Sequence, residues 1–169
     1  MNNPNVNISD YLDQMAQQLS DHLQQQKIEH PLMVGIHSAG VWIANSLHEK
    51  LALEEPLAEL NTSFYRDDFN QIGLHGQIKP SKMPISVENK HIILVDDVLY
   101  TGRTVRAALN ELFDYGRPAS ISLVVLIDRG GRELPIFAQI VGFYQQLSVD
   151  NDFKLVKNAT LELSIIKRV

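Results

Sequence analysis

Cysteine is absent from all 169 residues, which excludes disulfides, thiolate metal sites and thiol nucleophiles. Its absence fits a reducing compartment. No apolar run approaches the roughly 18 residues that a bilayer-spanning helix requires. The opening "MNNPNVNISDYLDQ" lacks the basic start and apolar stretch of a signal peptide, so the expected location is the cytoplasm, with no membrane partner. Positive charge is in deficit: 15 Lys and Arg stand against 20 Asp and Glu, and the formal net charge of −5 argues against broad nucleic-acid binding. The six histidines form no H-E-x-x-H or other metal-ligating spacing. Internal repeats and low-complexity tracts are also missing.

What is present is ordinary for a globular chain: 44% hydrophobic and 21% charged residues, in a length that suits one domain, 1–169. Ile8, Leu12, Met15, Leu19 and Leu23 fall at steps of three and four, which predicts a helix over 8–28 with Ser9 or Asp10 as its cap. "PLMVGI" (31–36) reads as a buried strand, and 40–53 returns to helical spacing through Val41, Ala44, Leu47 and Leu51. A second strand is expected within 56–68. Residues 67–90 carry two glycines, two prolines and little periodicity, and so long an irregular segment is usually functional or mobile. Strands follow at 91–95, 120–127 and 138–143, with a helix at 102–116 closed by Gly116. The alternation of Leu161, Leu163 and Ile165 predicts one half-exposed strand at 159–166, outside the main sheet. Near-continuous apolar strands separated by helices define an α/β class with a parallel sheet covered on both faces.

The segment "HIILVDDVLYTGRT" (91–104) concentrates the chemistry. A buried strand runs into two adjacent carboxylates, Asp96 and Asp97, which repel one another unless hydrogen-bond donors or a cation stand nearby. In parallel sheets ligands bind beyond the carboxyl ends of the strands. After the pair, "YTGRT" opens a helix whose first N–H groups lack internal partners and attract anions. Thr101 and Thr104 add hydroxyl donors, and Gly102 lets the backbone come close. Vicinal sugar hydroxyls can donate to the carboxylates while a phosphate occupies the helix start. On the pair alone, a capping Asp96 and a solvated Asp97 is the plainer reading. The strand, D-D, T-G-x-T and helix in register favour a sugar phosphate.

"ILVDDVLYTGRTVRAAL" closely resembles the phosphoribosyl-pyrophosphate (PRPP) motif of type I phosphoribosyltransferases. Continued by "LVVLIDRGGRELPI", and preceded by the 34–40 turn and "FYRDDF" (64–69), it is similar to the PyrR group over roughly residues 8–145. That group comprises pyrimidine-operon regulators with uracil phosphoribosyltransferase activity. The resemblance implies a type I phosphoribosyltransferase-like sheet flanked by helices, with a mobile loop and a small hood partly from the C-terminal segment. It implies UMP and pyrophosphate formed from uracil and PRPP, with Mg2+ carried on the donor and no direct protein ligand to the metal. It gives Asp96 and Asp97 the ribose hydroxyls and the catalytic role, and Tyr100, Thr101, Gly102, Arg103 and Thr104 the 5-phosphate. Ser38, Ala39 and Gly40 form the pyrophosphate turn, Arg66 belongs to the mobile loop (about 67–90), and Arg129 lies near the base and nucleotide. Ordinary ion pairs are the competing roles: Arg129 with Asp128 or Glu133, and Arg66 with Asp67 or Asp68. A homo-oligomer, dimer or tetramer, is expected from the resemblance alone.

Two departures stand out. "GIHSAG" occupies the place of the group's usual "GIKTRG", so His37 replaces a lysine and Ala39 an arginine. A lost charge-assisted contact of about 1.5–3 kcal/mol lowers activity roughly tenfold to a hundredfold. Phe137 and Phe143 stand where the regulators carry arginine and lysine on an RNA-binding face. Those aromatics weigh against RNA binding and toward an oligomer contact. A nucleotide- or PRPP-sensing regulator with weak turnover, and a type I transferase for a purine or orotate, are the alternatives, because the 91–104 motif reads only the ribose phosphate.

Overall fold

In the computed structural model, residues 7–62 and 80–168 are described. Their elements are α1 (Ile8–Gln25), β1 (Leu32–Ile36), α2 (Ala39–Leu51), β2 (Ala58–Leu60), β3 (His91–Leu99), α3 (Arg103–Asp114), β4 (Ser120–Asp128), β5 (Ile140–Tyr144), β6 (Asn151–Lys157) and β7 (Leu161–Lys167). Five strands pair in the order β2-β1-β3-β4-β5, and every pairing is parallel. Alternate residues of a strand face opposite sides, so the sheet feeds two cores. On one side Met33, Ile93, Val95, Val124 and Leu126 pack with the inner stripes of α1 and α2. On the other, Val34, Leu94, Leu123 and Val125 pack with Val105, Ala108 and Leu112 of α3.

Beyond shifts of two or three residues at element ends, the elements differ from the sequence expectation in four places. Helix α1 starts at Ile8, so its cap is Asn7, whose side chain accepts from the Ser9 N–H at 3.2 Å, rather than Ser9 or Asp10. Strand β2 is only Ala58–Leu60. Strand β3 extends past 95, because β4 continues to Asp128 and pairs with Asp96, Val98 and Leu99. The carboxylates therefore sit inside the strand, at the sixth and seventh of its nine positions. Finally, the outlying strand has a partner: β6 pairs antiparallel with β7 as a separate two-stranded sheet. Phe153, Leu155 and Leu163 of this hairpin join the core of α1 and α2.

Phe143 is not an exposed aromatic. It packs on Tyr11 of α1, ring centroids 4.8 Å apart, because β5 lies beneath that helix. Phe137 is 72% exposed. No helix among the described residues is long and apolar enough to cross a membrane.

Candidate active site

The strand order puts a topological switch point between β1 and β3, since the chain winds outward to β2 on one side and to β4 and β5 on the other. Ligands of open parallel sheets bind in the crevice at such a point, beyond the carboxyl ends. The turn after β1 and the loop after β3 meet there. A cavity of about 600 Å³ opens at the carboxyl end of β3, walled by residues 96–105 with Glu133, Asp152, Phe153 and Arg168. Every residue that sequence reasoning assigned to PRPP in 96–104 lines it.

Asp96 is buried, 4% exposed, and its Oδ1 accepts from the Asp97 N–H at 3.0 Å. Gly40 explains how the turn reaches it. A Cβ on Gly40 would lie 2.6 Å from the Val95 carbonyl oxygen and 3.1 Å from the Asp96 Cα, so only glycine lets the start of α2 press onto the end of β3. Gly102 has φ +92 and its missing Cβ would have ordinary spacing, so its requirement is conformational. The Thr101 hydroxyl accepts from the Arg103 N–H at 3.2 Å, ordering the first turn of α3.

Residues 128–136 brace this loop from behind. The Thr101 carbonyl accepts from the Glu133 and Leu134 N–H groups at 3.0 and 3.2 Å. Arg132, which sequence reasoning passed over, donates to the Tyr100 carbonyl at 2.9 Å and the Ile136 carbonyl at 2.9 Å, and pairs with Asp128. The i,i+4 spacing of Asp128 and Arg132 was the available signal. Arg103 donates from Nε to Glu133 at 2.6 Å.

Residues 5–156 match the phosphoribosyl transferase domain family. The bifunctional protein PyrR of Pseudomonas aeruginosa is 52% identical over 157 residues, covering 93% of this chain and 92% of that protein. Its namesake from Nitrosococcus oceani is 50% identical over 162 residues, covering 95% and 92%. The chain belongs to the PyrR family of phosphoribosyltransferases. The fold is shared more widely. A hypoxanthine phosphoribosyl transferase of Trypanosoma cruzi superposes with a TM-score of 0.65 at 21% identity, over 83% of this chain and 75% of that one.

In this PyrR-family chain both the turn after β1 and Arg129 are engaged within the fold. His37 is tied into the sheet: its N–H donates to the Leu60 carbonyl at 2.8 Å, and its Nε2 lies 2.9 Å from a Glu59 carboxylate oxygen. The peptide between His37 and Ser38 is cis. Ser38 is exposed and makes no side-chain cap bond to α2. Arg129 pairs with neither Asp128 nor Glu133. It turns to the hairpin, donating to Asp152 at 2.8 Å and to the Asn151 carbonyl at 3.2 Å. Its side chain is 1% exposed and stacks 4.0 Å from the centre of the Tyr100 ring, so it borders the cavity through Tyr100 and Asp152. Among the described residues its buried Nε has no hydrogen-bond partner. Arg66 lies outside the described residues, as does 67–79 of the expected mobile loop.

One buried carboxylate lies away from the cavity. Glu111 of α3 accepts from the Ser81 hydroxyl, which itself accepts from the Asn61 N–H at 2.8 Å. Burial holds its carboxyl above the ordinary carboxylate range, with Asp114 adding repulsion and the Ser81 bond opposing both.

Proposed function

We propose that this chain makes UMP and pyrophosphate from uracil and PRPP, with a second role in pyrimidine gene expression. The observation that carries the reading is one cavity walled at one end by Asp96 and Asp97 and at the other by the start of α3. In this reading the carboxylates accept from the 2′- and 3′-hydroxyls of the ribose, and residues 100–104 hold the 5-phosphate. Pyrophosphate then leaves as positive charge develops on the sugar, beside two fixed negative charges. Ser38, Ala39 and Gly40 offer backbone N–H groups to the departing pyrophosphate at the start of α2. Most of the acceleration comes from holding donor and base in line.

A divalent cation fits as a passenger on the donor. Asp96 and Asp97 offer hard oxygens on the cavity wall beside which it would lie. Carried in on PRPP, Mg2+ would neutralise the phosphates of the donor.

The whole chain acts as one domain in this reading, with the β6–β7 hairpin as its hood, supported by the core it shares with α1 and α2. Self-association into a dimer or tetramer is supported by the large apolar side chains left open, Phe137 and Tyr144 at 72% and 75% exposed. The regulatory role follows the bifunctional description of the relatives. No RNA-binding face is assigned, since Phe137 and Phe143 replace its expected cations.

Pyrophosphate release from PRPP and Mg2+, with uracil, guanine, hypoxanthine and orotate offered separately, tests the reading. Release with uracil alone, lost in an Asp96→Asn/Asp97→Asn double variant, is expected. A second reading, a UMP or PRPP sensor with little turnover, is favoured by the engagement of His37 with Glu59. Tight UMP binding without release for any base would select it.

A further inference from the structure

Two arginines from distant parts of the chain converge on one aromatic ring of the phosphate loop. Arg129 lies 4.0 Å from the centre of the Tyr100 ring, and Arg168, just beyond β7, lies 5.3 Å from it. Both distances are within cation–π range. Both arginines also share one carboxylate: Arg129 takes Asp152 Oδ1 at 2.8 Å, and Arg168 takes Oδ2 at 3.4 Å through its Nε. Two cations thus face one anion. The shorter pair is the sequestered one, since the Arg129 side chain is 1% exposed. Arg168 is held loosely and is 45% exposed. Among the described residues its two terminal nitrogens have no hydrogen-bond partner, and the side chain lines the cavity.

The other arginine on the cavity wall is engaged, Arg103 with Glu133 at 2.6 Å. The open cationic fork beside Tyr100 is therefore that of Arg168. Its planar fork suits phosphate oxygens, and its neighbours suit it to that ligand: Tyr100 begins the loop that leads to the N–H groups of α3.

We propose that Arg168 is a ligand-binding residue of this site, whose terminal nitrogens take an oxygen of the ribose 5-phosphate held by residues 100–104. Asp152 and Tyr100 position it. The inference rests on the transferase reading of the cavity and adds to it a residue from outside the motif. It also supplies a cation on the nucleotide side of a site whose opposite turn has lost two.

The experiment is titration of the full chain with UMP and with uridine, for the parent, Arg168→Ala and Arg168→Lys, alongside thermal unfolding. Loss of a charge-assisted phosphate contact is expected to weaken UMP binding roughly tenfold to a hundredfold in Arg168→Ala. Uridine, which has no phosphate, is expected to bind all three alike. Arg168→Lys keeps the charge without the fork and is expected to fall between. Should the alanine variant fail to fold, the lysine variant carries the test, with a UMP-selective loss still expected. Equal weakening of UMP and uridine would assign Arg168 to the hairpin alone and overturn the inference, as would unchanged UMP affinity. Failure of the parent to bind either UMP or PRPP would overturn the transferase reading and this inference together.

Discussion

The turn after β1 and the loop after β3 leave neighbouring strands at the same edge of the sheet, yet they are built on different principles. The loop after β3 is braced from outside itself. Arg132 donates to its Tyr100 carbonyl at 2.9 Å, and two N–H groups of 133–134 hold its Thr101 carbonyl. Its residues line the cavity. The turn after β1 is braced inward, with His37 held by Glu59 and the Leu60 carbonyl, and Gly40 pressed against Val95. One presents functional groups, and the other presents chiefly backbone. A cationic side chain is the usual way to hold pyrophosphate, and the second loop has spent its only ionisable group on the sheet.

The largest expected effect comes from removing what the first loop presents. Asp96→Asn/Asp97→Asn keeps the shape of both side chains but deletes both charges, and kcat/KM is expected to fall about 10³-fold. Steady-state pyrophosphate release reads it directly. If the double variant retained full activity, the contrast between the two loops would lose its meaning.

Next comes the contact that joins them. Gly40→Ala would place a methyl group 2.6 Å from the Val95 carbonyl oxygen, and the displaced atoms would be backbone. Overpacking of this kind costs about 1–3 kcal/mol, measurable by urea unfolding. Because the same methyl would lie 3.4 Å from Asp96 Oδ1, activity is expected to fall further than stability explains. A stable but inactive protein would sharpen the point that the turn positions Asp96.

A gain of function tests the turn from the other direction. Ala39→Arg returns the cation of the group's usual motif to the start of α2, and kcat/KM for PRPP is expected to rise roughly tenfold. Unchanged kinetics would mean that the backbone N–H groups already suffice.

These two loops were also unequally legible in the sequence. The loop after β3 could be read because its logic is local: strand, carboxylate pair, threonines and helix follow one another within fourteen residues (91–104). Gly40 was visible as part of a small-residue turn, but its reason, the Val95 carbonyl, is more than fifty positions away. Arg129 met the same difficulty. Sequence proximity suggested Asp128 or Glu133, whereas the fold supplies Asp152 from β6. Strand β6 was itself missed, since "NDFKLVK" offers only Phe153 and Leu155 as inward residues and three charges between and around them. Without β6, nothing in the sequence brings Arg168 to Tyr100. Local alternation and capping are written in short windows, and the pairing of ions is decided by topology.

The smallest effect concerns the link between the two sides of the site. Ser81, on the return from the segment after β2, binds both the Asn61 N–H and Glu111 of α3, so it joins the side of the sheet beyond the turn to the helix that follows the loop after β3. Burial raises the Glu111 carboxyl above its unfolded value, so the folded chain binds that proton more tightly than the unfolded one. Its favourable contribution is therefore complete below the ordinary carboxylate range and is lost as pH rises through the raised value. At neutral pH the charge is a net cost. Glu111→Gln keeps an oxygen for Ser81 and removes the titration. The difference in unfolding free energy between variant and parent, taken from urea curves across pH 4 to 8, is expected to move in favour of glutamine as pH rises. Because the amide nitrogen would take the place of an oxygen buried without a partner, the sign at any single pH is less informative than that slope. A flat difference across the range would mean that Glu111 titrates alike in both states, and that the link between the two sides is insensitive to pH.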